Sequence, residues 1–231
     1  MVQMNAPVIL RVKFFKVGKL QYISHLDLVR TMYKIIVRSG LPMKYTEGFN
    51  PKPKMSFASS LSVGNESLCE YMDLHLTESV SPVTAMERLN NEMTDEMQVT
   101  ECYYPTTKFD AIRWFSYTYR IKTGGASPAL AQKISSALTC GDIEITKKTK
   151  SGEEKRVNIR PLIRSADVTF EDGRIVIRAV LSASQSAFLA PEHIVKYLRS
   201  ACGILSDPCI INESYSVLRD GAYTEDMSPF R

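Results

Sequence analysis

The chain has 231 residues, 44% of them apolar, and a formal charge of +4, which suits packed cores in one large or two ordinary globular domains. No apolar run approaches the roughly 20 residues of a membrane span, and the start MVQMNAPVILRVKFF lacks a signal-peptide h-region and cleavage site, so a cytoplasmic protein without membrane contact is expected. Cys69, Cys102, Cys140, Cys202 and Cys209 are odd in number and widely spaced, which predicts buried thiols rather than a disulfide framework. No CxxC spacing occurs, so no cofactor, structural zinc or iron–sulfur cluster held by this chain alone is expected.

Pro7 to Val17 alternates Val8, Leu10, Val12 and Phe14 with Arg11 and Lys13, the period of a half-buried strand. Ser24-His-Leu-Asp27 is an N-cap with a carboxylate at N3; Leu28, Met32, Ile35 and Ile36 form an apolar stripe, and Gly40 closes a helix over 25–39. Residues 42–46 and 55–63 read as extended around a proline-rich loop, and 68–76 alternates again. Ser81-Pro82 opens a helix to about Met93, and 97–104 returns as a strand. That order is β-α-β-β-α-β, the ferredoxin-like arrangement of two helices on one face of a four-stranded antiparallel sheet. After a connector at 105–113, the pattern predicts a strand at 114–123 and a helix to about Leu138. Strands near 142–149, 155–163 and 174–183 follow, then a helix from Pro191-Glu192 to about Cys202 and a strand near 208–218. The expected fold class is α+β, with two tandem ferredoxin-like (βαββαβ) modules at 1–106 and 107–231 and one strand surplus in the second.

Charge is unevenly distributed. From Pro7 to Ser60 ten bases face only Asp27 and Glu47, whereas from Leu61 to Asp110 ten acids face only Arg88 and Lys108. Such asymmetry points to a directed interaction surface, unless the two segments pair with each other inside one sheet. The run Gly48-Phe-Asn-Pro-Lys-Pro-Lys54 carries two prolines that fix φ and withhold donors, so an ordered loop presenting Phe49, Asn50, Lys52 and Lys54 is expected. An aromatic ring that stacks on a base beside lysines that neutralise phosphates is a common way to hold single-stranded nucleic acid. The expected nucleic-acid contacts are Lys13, Lys16, Lys19, Arg30, Lys44, Phe49, Asn50, Lys52 and Lys54. Lys148, Lys150 and Arg156 join them from a second basic stretch around the turn Ser151-Gly152-Glu153-Glu154.

Catalytic signals are sparse. His25 stands at a helix start beside Tyr22, Ser24 and Asp27, and with Lys19 or Lys52 as a charge stabiliser it could serve as a general base in RNA cleavage. The structural alternative is that Ser24 and Asp27 cap the helix while His25 bonds the adjacent loop. His75 shares a strand face with Asp73 alone, too few ligands for a metal, and His193 has no evident acid–base partner. Nothing matches a P-loop, a dinucleotide fingerprint, a nucleophile elbow or a zinc-protease helix.

Leu20-Gln-Tyr-Ile-Ser-His-Leu-Asp-Leu-Val-Arg30, Arg38-Ser-Gly-Leu-Pro42, Glu47-Gly-Phe-Asn-Pro-Lys-Pro-Lys-Met-Ser-Phe57 and Leu61-Ser-Val-Gly64, with Glu70 and Asp73, resemble the radical-SAM-linked bacterial domain family of unknown function. The resemblance implies a partner, a radical SAM protein encoded beside or fused to the domain, and it brings no activity with it. A looser similarity is to repeat-associated RNA-processing proteins of CRISPR systems, which pair two ferredoxin-like modules, but their carboxy-terminal glycine-rich loop is lacking here. The functional expectation is an RNA-binding or substrate-presenting accessory protein that acts with a radical SAM enzyme and is not itself an enzyme. The alternatives are a ribonuclease-like enzyme using His25 and a protein-binding adaptor with no nucleic-acid contact.

Overall fold

The computed structural model describes residues 8–148, 154–184, 186–207, 209 and 211–231. It is a mixed α+β chain that divides into two compact units, Met1–Phe109 with Arg231, and Asp110–Phe230.

In the first unit, β1 (Val8–Lys16), α1 (His25–Arg38), β2 (Met55–Phe57), β3 (Asn65–Leu76), α2 (Pro82–Asn90) and β4 (Val99–Tyr103) follow in order. β4, β1 and β3 lie side by side, β2 pairs with the outer side of β3, and every pairing is antiparallel. Alternation in β1 sends Leu10, Val12 and Phe14 to one face, where they join Met72, Leu74 and Leu76 of β3. Leu28, Met32, Ile35 and Ile36 of α1 and Ala85 and Leu89 of α2 close that core, so the helical stripe read from the sequence is buried. Each such side chain contributes on the order of 1.5–3 kcal/mol by burial. Ser24 caps α1, its hydroxyl accepting the Asp27 N–H at 3.2 Å. After β1 the chain turns at Gly18, whose φ of +61° favours glycine, while the Glu96 carboxylate beside it is a flexible end that could move aside.

The opposite face carries charge. Arg11 and Asp73 are directly opposite across β1 and β3 and form a two-pronged bond of 2.7 and 2.9 Å, with the guanidinium 4.3 Å from the Phe109 ring centroid. Lys13 and Glu101 pair across β1 and β4 at 2.7 Å. β2 is shorter than the extended run expected at 55–63. Ala58 still donates to the Tyr71 carbonyl, but 59–64 then turns, and the Gly64 N–H goes to Gln21.

The second unit contains β5 (Trp114–Lys122), α3 (Pro128–Thr139), β6 (Glu144–Lys148), β7 (Glu154–Asn158), β8 (Ile163–Glu171), β9 (Arg174–Ser182), α4 (Glu192–Cys202) and β10 (Ser214–Tyr223). Its main sheet runs β10, β5, β9, β8, all antiparallel, and β6 and β7 form a separate hairpin. Ile121, Ile175, Ile177, Leu181, Ile134, Ile194 and Leu198 are buried.

Two strand expectations are corrected. The single strand expected at 155–163 is broken by a 3-10 turn, Arg160–Leu162, whose Pro161 withholds a donor while the Asn158 side chain accepts the N–H groups of Ile143 and Arg160. β8 then occupies 163–171, where no strand was expected. It returns through Asp172-Gly173 with φ of +49° and +74°, a two-residue hairpin turn. The final strand lies at 214–223 rather than 208–218, because Glu213 and Asp207 hold the preceding stretch as a loop. All five cysteines are free thiols, but Cys140 and Cys209 are exposed, since both sit just beyond helical or loop ends rather than in a core.

Candidate nucleic-acid interface

Between α1 and β2 the chain forms a short arm at 44–54. Lys44 donates to the His75 carbonyl, His75 to Lys54 and Lys54 to Lys44, at 2.8, 3.0 and 2.7 Å, tying both stems of the arm to the end of β3. Further out, the Thr46 N–H reaches Lys52 O at 2.8 Å, and the Lys52 N–H reaches the Thr46 hydroxyl at 3.0 Å. Pro53 is buried, whereas residues 45–52 are exposed. The two prolines thus stiffen the return stem while the tip stands in solvent. Phe49 is 111% exposed at that tip, which removes the possibility that it anchors the loop from below. Lys52 Nζ sits 5.8 Å from the Tyr33 ring centroid, so the arm leans toward α1.

His75 lies under the base of the arm. Its Nδ1 is buried without a hydrogen-bond partner among the described residues, and burial, then Lys54 and Lys44, push its pKa below the usual imidazole value against the opposing pull of Asp73. It is therefore a neutral ring at pH 7 beside two cations.

The remaining expected contacts divide sharply. Lys13 is engaged by Glu101, and Lys16 is 2% exposed with its Nζ on the Leu20 carbonyl at 2.9 Å, so neither is presented to a phosphate. Arg38 pairs with Glu92 at 2.6 Å. With Arg11–Asp73, this is the internal neutralisation that the charge asymmetry left open. Arg30 is exposed and meets Asp27 on its own helix at 3.3 Å. Lys19, Asn50, Lys52 and Lys54 are exposed and Lys44 is partly so. In the second unit Arg156 is exposed on β7 with Glu144 3.7 Å away. Lys148 ends β6, and Lys150 and the turn at 151–153 lie outside the described residues.

His25 and Lys52 of the catalytic alternative have different aromatic neighbours. His25 meets Phe57 edge-on at 5.3 Å, Tyr22 is 69% exposed, and Lys52 lies by Tyr33, eight residues or about 12 Å further along α1 at 1.5 Å per residue. Asp27 is consumed by the cap: the Ser24 hydroxyl, ahead of Arg30, holds its pKa below the ordinary carboxylate value. Among the described residues no three metal-ligating side chains come together. Tyr33 and Tyr45 are the members of this surface that the sequence reading passed over. Tyr45 is 45% exposed beside Lys44, and its alternation with Lys44 and Thr46 was the available signal.

A search of curated proteins found no match. Among solved structures, the chain is similar in fold to a chain of the crystal structure of a Cbf5–Nop10–Gar1 complex, with a TM-score of 0.50 and 10% identity. The match covers 93% of the present chain and 50% of the other, so this chain spans about half the length of the structure it resembles. None of its helices is long and apolar enough to cross a membrane, among the described residues. A family model described as uncharacterized protein conserved in bacteria (DUF2344) matches residues 10–191, and the chain belongs to that family.

Proposed function

We propose that this protein is an RNA-binding or substrate-presenting accessory protein, that the arm at 44–54 is its RNA contact, and that it acts with a radical SAM enzyme. The observation that carries the reading is the arm itself. It extends a fully exposed phenylalanine and the exposed Lys52 and Lys54 from a hydrogen-bonded base, while other bases of the same segment are spent on Asp73, Glu101 and Glu92. An exposed ring stacks on any base and the lysines neutralise phosphates, which gives affinity with little sequence preference. The radical SAM partner rests on the resemblance of the amino-terminal strings, and the partner supplies the chemistry. Both units are read as ferredoxin-like modules, supported by the matching strand orders β4-β1-β3-β2 and β10-β5-β9-β8, with the β6–β7 hairpin inserted in the second.

A salt titration of RNA binding tests the reading. Replacing Lys52 and Lys54 together by alanine weakens binding and lowers the log–log salt slope by about 1.4, at about 0.7 per single-strand phosphate contact. Phe49→Ala costs about 1–3 kcal/mol and leaves the slope unchanged. Unchanged affinity in all three substitutions, with unaltered melting curves, removes the arm as an RNA site and favours a protein-binding adaptor.

A further inference from the structure

Along α4 and beside residues 205–207 and 213–215 lie two hollows of about 460 Å³ each that share Arg199 and Tyr215. One reaches toward Asp207 and Glu213, the other toward His193 and Lys196. The volumes fall in the range of about 300–1,000 Å³ typical of small-ligand sites.

Arg199 is exposed and, among the described residues, its guanidinium makes no hydrogen bond or ion pair, although two carboxylates line the same hollow. Those carboxylates are turned to the loop. Glu213 accepts the Thr123 hydroxyl at 2.5 Å and the Gly124 N–H at 2.7 Å on one oxygen, and the Asp207 N–H at 2.5 Å on the other. Asp207 accepts the Cys209 N–H and the Asn212 amide, both at 2.8 Å. Leu205, in the wall, holds a left-handed φ of +55° and gives its N–H to Thr123, so the same cluster maintains a strained backbone at the rim. Tyr215 is 39% exposed beside the guanidinium, and Lys196 is exposed with its Nζ only 3.5 Å from the Thr146 carbonyl, at the limit of a hydrogen bond.

We propose that this groove binds a nucleoside monophosphate, with Arg199 holding the phosphate and the Tyr215 ring holding the base. The Arg199 guanidinium offers a planar fork that matches two phosphate oxygens, and Lys196 adds a second positive charge. Tyr215 supplies a flat apolar wall for a base. Arg199 and Lys196 must hold the phosphate against Glu192, Asp207 and Glu213 in the lining, a repulsion that grows with ligand charge and so disfavours a triphosphate. The phosphate could belong to a free nucleotide or to the phosphorylated end of an RNA; the recognising chemistry is the same.

The test is calorimetric titration of the full chain with the four 5′-ribonucleoside monophosphates, their triphosphates, inorganic phosphate, and a short 5′-phosphorylated RNA. Saturable binding of at least one monophosphate, tighter than its triphosphate, is expected. Arg199→Gln weakens it about tenfold or more. Tyr215→Leu weakens nucleotide by about 5- to 150-fold while inorganic phosphate binds as before. Displacement of the free nucleotide by the phosphorylated RNA, lost in R199Q, identifies an RNA end as the source; binding of the free nucleotide alone identifies a small-molecule ligand. No saturation by any monophosphate up to about 10 mM, well beyond a millimolar Kd, overturns the proposal. So does equal affinity in an R199Q protein whose melting curve is unchanged.

Discussion

Arg11 is 1% exposed and Asp73 8%, and their two-pronged contact beneath Phe109 leaves little of either charge to water. Removing one partner strands the other, so Asp73→Asn is expected to lower stability by about 3–5 kcal/mol in urea unfolding. The double replacement by apolar residues of similar volume is expected to cost much less, because no charge then remains buried. Tyr103 in the same unit has its pKa pushed up to about 12, mainly by burial and against the opposing pull of Arg11, so it stays protonated under any physiological condition. Glu213 makes a different prediction. The Thr123 hydroxyl first, then the Asp207 and Gly124 N–H groups, hold its pKa below the ordinary value of 4.5. The stability it adds is therefore fully present above that value and is lost as pH falls through its folded-state pKa. In Glu213→Gln, melting curves followed from pH 7 downward should lose that part of the acid dependence; a dependence identical to wild type would dismiss Glu213 as the organiser of the loop.

At the level of elements, helices were easier to read than strands. α1 announced itself through Ser24, Asp27 and a stripe at helical spacing, and all three devices operate: cap, dipole complement and buried face. Ser24→Ala should destabilise the protein by about 1 kcal/mol, measured by thermal or urea unfolding. β8 was missed although Asp172-Gly173 carries a strong short-range hairpin signal. The preceding run Ser165-Ala-Asp-Val-Thr-Phe170 also alternates polar and apolar residues, so the strand period was legible, although its side chains stay mostly exposed or half-buried in the fold. At Gly173 the φ of +74° meets open space, so the cost of Gly173→Ala is conformational alone, on the order of 1–2 kcal/mol. A neutral or stabilising result would deny that the turn geometry sets the register of β8 on β9.

For the whole molecule, the net charge of +4 says less than where the charges go. The five cysteines lie far apart in the sequence with no CxxC spacing, so no iron–sulfur cluster is expected on this chain. Reconstitution of this chain alone with iron and sulfide should leave it without the broad visible absorbance of a cluster; stoichiometric iron after desalting would refute this. By itself the sequence determined the α+β class, the four helices and the exposed proline-rich arm. Local periodicity, caps and proline geometry act over a few residues and need no distant partner. Only the tertiary structure decided which cations remain available. Lys13, Lys16 and Lys52 look alike as letters, yet strand register places Lys13 opposite Glu101, burial turns Lys16 onto Leu20, and the arm alone leaves Lys52 in solvent. That the Arg199 guanidinium is without a hydrogen bond or ion pair among the described residues was likewise hidden, because Asp207 and Glu213 are occupied by hydrogen bonds from residues as far away in sequence as Thr123. Charge availability depends on long-range pairing, and that is absent from any window of sequence.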